Sequence, residues 1–201
     1  MEPLIKGIIS GITVSFMIGP IFFALMELTI SKGWRCGFFY VLGVLISDVV
    51  LIYAVETILV QFPFDNIKSH VGLVGGILLI IFGLVTFFAK ASMQSADITN
   101  IKTLLQSFFK GVTINVLNPF VTIWWITMYS TITIAYEVVL DKFLFYFGVL
   151  LMVFLFDLLK IRFSYYLKQK LTADNLIVVK KVVGVCLLVF GVVMIVRVGF
   201  D

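Results

Sequence analysis

The sequence predicts an all-α integral membrane protein, with six transmembrane helices arranged as two inverted three-helix repeats. Three observations carry this expectation. The chain is 62% hydrophobic and 13% charged, where soluble domains are about 45–50% apolar and about 25% charged. Its apolar residues gather in six runs of roughly membrane-crossing length. Two of those runs are interrupted by proline at matching places in the two halves. Gly19-Pro20 lies within IISGITVSFMIGPIFFALMELTI, and Asn118-Pro119 lies within GVTINVLNPFVTIWWITMYSTITI.

The whole chain, 1–201, reads as a single membrane domain, with spans at 4–30, 37–60, 70–89, 107–135, 143–160 and 177–198. The first apolar run is longer than the apolar core of a signal peptide and lacks a small-residue cleavage site, so no cleavable leader is expected. In the first and fourth spans, Pro20 and Pro119 each remove a backbone donor and clash with the preceding turn. In hydrocarbon a freed carbonyl is tolerated only where protein or a water-filled cavity satisfies it. Paired interruptions in corresponding segments are the best sequence pointer to the site of a repeat-built transporter. Helices 1 and 4 are therefore predicted to be broken at Pro20 and Pro119.

The halves resemble each other. Repeat 1 covers 4–89, a cytoplasmic linker covers 90–106, and repeat 2 covers 107–198. GGILLIIFGLVTFF in the third span aligns with VGVCLLVFGVVMIV in the sixth, pairing Gly76 with Gly184 and Gly83 with Gly191. FYVLGVL in the second span echoes FYFGVLL in the fifth. An odd number of spans per half requires the halves to sit with opposite topology. Eleven Lys and Arg fall at the 1–2, 3–4 and 5–6 loops, and four fall on the other side. The positive-inside rule then places both termini outside. A re-entrant third or fourth segment is the competing topology.

Asp48 lies at the centre of the second span. An ionised carboxylate there costs at least about 2.5–3.5 kcal/mol on insertion scales. No Lys or Arg is read at its depth, so its expected partners are backbone donors at a broken helix, Asn side chains, water or substrate. That setting suits proton exchange, and a protonated packing residue is the plain alternative. Asn115 and Asn118 share one face before Pro119. Each amide both donates and accepts, so each could repair the break or bind a ligand. Gly7, Gly11, Ser15 and Gly19 form a small-residue stripe suited to close packing. Gly19 stands apart because it adjoins Pro20. Glu27 falls seven residues after Pro20 and is a second candidate carboxylate. Asp157 and Lys160 read as an i,i+3 ion pair near the cytoplasmic end of the fifth span. Of the Trp124-Trp125 pair one is expected to line the pathway, and Trp124 stands as the candidate.

The chain has one histidine, His70, and two cysteines, Cys36 and Cys186, with no CxxC. No metal site, cofactor motif, nucleic-acid patch or nucleophile–base constellation is legible.

Gly19-Pro20, SKGWRCGFFYVLGVLISD ending in Asp48, and FFKGVTINVLNPF from Phe108 to Phe120 together resemble the lysine-exporter (LysE/RhtB) family of bacterial amino-acid exporters. The resemblance runs over nearly the whole length. It implies export of amino acids or related small metabolites across the bacterial inner membrane, driven by the ion gradient, with Pro20, Asp48, Asn115, Asn118 and Pro119 as core motif positions. With Asp48 as the proton-exchanging group, the export is expected to be proton-coupled. A homodimer stays open. Ile21 and Phe120 stand where many amino-acid-exporting members carry a polar residue and a lysine, which points to a small, largely neutral or apolar substrate. An ion or metal exporter on a related fold, or a non-transporting assembly or sensor protein, remains the alternative.

Overall fold

Each proline-bearing run folds as two helices set at an angle. The structure is a computed structural model that describes residues 1–17, 19–57, 65–88, 100–170 and 173–200. Among these residues every regular element is a helix: α1 (Glu2–Ser15), α2 (Pro20–Lys32), α3 (Trp34–Thr57), α4 (Asp65–Phe88), α5 (Ile101–Val116), α6 (Pro119–Ala135), α7 (Val139–Lys170) and α8 (Ala173–Phe200). The axis turns by 69° between α1 and α2 and by 61° between α5 and α6. Pro20 and Pro119 are the first residues of α2 and α6. There the missing N–H costs nothing and the fixed φ suits helix entry. The preceding helices close with tight turns, Phe16 and Met17 donating to Thr13 and Val14, and Leu117 and Asn118 donating to Thr113 and Asn115.

Trp34–Thr57 and Val139–Leu167 are each long and apolar enough to cross a membrane, and counting each bent pair as one span gives up to four. α4 and α8 contribute shorter apolar stretches, Leu79–Phe88 and Lys181–Val193. The protein is an all-helical, multi-pass membrane protein.

Two helices extend past the expected spans. The fifth helix runs well beyond 143–160 at both ends, because the following RFSYYLKQ is helix-competent even where it is polar. The expected linker at 90–106 is helical from Ile101. Asn100 caps that helix through its Oδ1, which accepts the Lys102 N–H at 3.0 Å. Residues 90–99 of the linker, and the side chain of His70, lie outside the described residues.

Glycines set the closest helix crossings. A Cβ on Gly7 would collide with the backbone of Phe145, and one on Gly111 with the backbone of Tyr40. A Cβ on Gly148 would press on Leu4, and one on Gly43 on Phe108. Thus α1 packs on α7 as α5 packs on α3. Gly76 and Gly191 face each other's carbonyls across α4 and α8, as do Gly83 and Gly184. Exchanging the halves turns each of these contacts into another. Gly7, Gly11 and Ser15 are buried in this packing, while a Cβ on Gly19 would meet nothing within 4 Å.

Candidate functional site

The α3–α5 crossing fixes the site. Because Gly43 and Gly111 let the two backbones touch, Asn115, one turn beyond Gly111, lands against residues 44–48 of α3. Its Nδ2 donates to Asp48 Oδ1 at 2.8 Å and also reaches Ser47 Oγ at 2.9 Å and the Val44 carbonyl at 3.3 Å. Trp125 Nε1 donates to the same Asp48 oxygen at 3.0 Å. Asp48 is 5% exposed and Asn115 1%. Asp48 Oδ2 takes no hydrogen bond from the described residues. A buried carboxylate persists only when bonded, and these two donors are its support.

Asp48 forms part of the wall of a cavity of about 450 Å³ where the two breaks meet. The first break brings Gly19, Pro20, Ile21 and Phe22 to it, and the second brings Asn118, Phe120 and Trp124. Asn118 is buried, and its Oδ1 accepts the Phe120 N–H at 3.1 Å, which caps α6. Its Nδ2 has no partner among the described residues. No side chain caps α2 at Gly19. The side chain of Pro119 lies outside the described residues, though its backbone opens α6. Trp124 and Trp125 meet edge-to-face with centroids 4.6 Å apart, and both line the cavity.

Two residues read as a helix-end ion pair also belong here. Asp157 and Lys160 line the same cavity, with Lys160 Nζ donating to Asp157 Oδ1 at 2.8 Å. Asp157 is 3% exposed. The Lys160 ammonium lies 6.0 Å from the centre of the Phe22 ring, at the first turn of α2. Lys160, read as a loop-side cation, thus shares the cavity with Asp48. One turn of α7 faces inward, and the long lysine stem carries its charge along apolar wall.

Glu27 is placed elsewhere. It is absent from the cavity wall and bonds Lys110 of α5 at 3.2 Å and Ser31 at 3.1 Å. It ties the second half of one broken run to the first half of the other. Sequence reasoning missed Trp125, Asp157 and Lys160 as wall residues. In a Trp doublet only the helix phase tells which ring faces Asp48.

The family model described as LysE type translocator matches residues 12–197, which include both breaks and every cavity residue named above. The chain belongs to the LysE type translocator family. No curated protein and no solved structure gave a significant match. LysE translocators are membrane transporters, so this LysE chain is a membrane translocator. Among the described residues, no group of three or more His, Cys, Asp or Glu converges on a metal-sized site.

Proposed function

We propose that the protein is a secondary-active exporter of small amino acids or related metabolites, coupled to protons by alternating access, and not an enzyme. The observation that carries this reading is Asp48, buried and doubly bonded at the wall of a cavity where two broken helices meet. The cavity volume suits a small metabolite, and intramembrane carboxylates characteristically mark proton or ion pathways. Substrate and proton would occupy the cavity in turn. Proton uptake at Asp48 from outside and release inside would then drive substrate outward. Asn115 and Trp125 would hold the carboxylate in place, Asn118 and Pro119 would fix the second break, and Gly19 and Pro20 would fix the first. Phe120, Ile21 and Trp124 give the wall its apolar character.

The six spans would form two inverted repeats with both termini outside, in a bacterial inner membrane. The exchange of glycine contacts between halves supports the repeat. With Lys110 and Lys160 taken out of the loop count, nine cations still oppose four across the membrane, which supports the orientation. Reporter fusions after Asp201 and within 91–101 should report opposite sides, and the same side would refute it. Efflux of a panel of labelled amino acids from expressing cells, with and without a protonophore, tests the function. Export that collapses with the protonophore is expected. No export of any panel member above control cells would overturn the reading.

A further inference from the structure

The cavity holds a charge pattern that the translocator reading leaves unused. Among the described residues three ionisable side chains line it: Asp48, Asp157 and Lys160. Among the described residues Asp48 is bonded on one oxygen only, by neutral donors. Asp157 and Lys160 bond each other. An ammonium carries three donors, and Lys160 shows one of them in use among the described residues. Among the described residues the rest of the wall is mostly apolar, including Ile21, Phe120, Trp124 and Phe190, with Ser15, Asn115, Asn118 and Thr127 as its uncharged polar members. Such a cavity therefore presents one carboxylate with an open oxygen, one ammonium with spare donors, and an apolar surface that completes the enclosure. A ligand complementary to all three bears a carboxylate, an ammonium and an uncharged body.

We propose that Lys160 is the anchor for the substrate's carboxylate, with Asp48 receiving its ammonium, and that Asp157 is the internal competitor the substrate displaces from Lys160. In the empty site Asp157 neutralises Lys160, which would otherwise be a poorly solvated cation. An incoming carboxylate takes over that pairing through charge-assisted hydrogen bonds. The exchange is close to balanced, one carboxylate for another, so the pair can open without leaving a charge stranded. Selectivity follows from the same arithmetic. An amine without a carboxylate leaves Lys160 with Asp157 and forgoes one anchor. An acid without an ammonium places its charge near Asp48 with nothing to offset it. This inference rests on the exporter reading and names the substrate class of that same cavity, a zwitterion with a neutral side chain.

The two charges of the pair make opposite predictions, which a merely structural salt bridge does not. Transport of labelled neutral L-amino acids, from glycine to leucine, is measured in proteoliposomes, with the amides of the same amino acids as carboxylate-free comparators. Lys160→Gln should raise the KM for the amino acid by about ten- to a hundred-fold, the usual worth of a hydrogen bond to a charge. It should leave the weaker handling of the amide unaltered. Asp157→Asn should lower the KM for the amino acid, because Lys160 loses its competitor. The double variant carries no unpaired charge and guards against misfolding of either single variant. It should retain the raised KM of Lys160→Gln. Equal damage from both single variants, with recovery in the double variant, would overturn the anchor and leave the exporter reading standing. If the wild-type protein transports none of the amino acids, the exporter reading fails and the anchor with it.

Discussion

The two helix breaks share a design and differ in how they are finished. Both stop a helix with a tight turn and restart it at a proline. The second is sealed, because Asn118 caps α6 through Phe120, and its flanking helices supply both donors to Asp48. The first is bare. Gly19 offers no side-chain cap, a Cβ there would meet nothing within 4 Å, and none of its described neighbours bonds Asp48. A break that holds the functional carboxylate has to keep its shape. A break that only lines the cavity is free to change it. The second break, with α3 packed on α5, therefore reads as the fixed wall of the site, and the first break as the wall able to move.

The strongest way to break this comparison is to pry the fixed wall apart. Gly111→Val would drive a branched side chain into the Tyr40 backbone. Overpacking against main chain should cost about 3 kcal/mol or more, at the upper end of such changes. Little monodisperse protein should be recovered by size-exclusion in detergent. A normal elution profile would show that the α3–α5 contact does not define the site. Asn115→Leu is the next largest. It keeps the volume but takes a donor from a buried carboxylate, which should cost about 1.5–3 kcal/mol and lower the thermal midpoint in detergent.

Smaller changes sharpen the contrast between the breaks. Asn118→Ala removes the α6 cap and should cost about 1 kcal/mol. Gly19→Asn supplies the missing cap at α2, where a side chain has room. It should raise stability by about a few tenths of a kcal/mol, read as a small upward thermal shift, and slow efflux by stiffening the movable wall. If Gly19→Asn instead destabilises as much as Asn118→Ala, the breaks are equivalent and the comparison fails.

Much of this was legible in the sequence, and what was not shares one cause. Prolines inside apolar runs announced the breaks, because apolar length and helix-breaking chemistry are both local properties. Asp48, Asn115 and Asn118 stood out because polar groups are costly in hydrocarbon. Their mutual bonding was not legible, since it depends on Gly43 and Gly111 letting two helices cross closely. Asp157 and Lys160 form the i,i+3 ion pair read from their spacing, but that the pair lines the cavity was not legible, because the same spacing occurs on a solvated helix end. Glu27 was drawn toward the break by its distance from Pro20, while its partner on α5 holds it away. Helix face and depth are decided by packing between elements, and that is where the reading from spacing alone stopped.

The central claim is that Asp48 titrates during transport, and Asp48→Asn tests it most directly. The amide keeps the volume and can still accept the hydrogen bonds of Asn115 and Trp125, so the protein should fold and insert as before. Reconstituted with substrate on both sides, the variant should retain substrate exchange and lose net efflux driven by an imposed proton gradient. Net efflux at the wild-type rate with unchanged pH dependence would contradict the account.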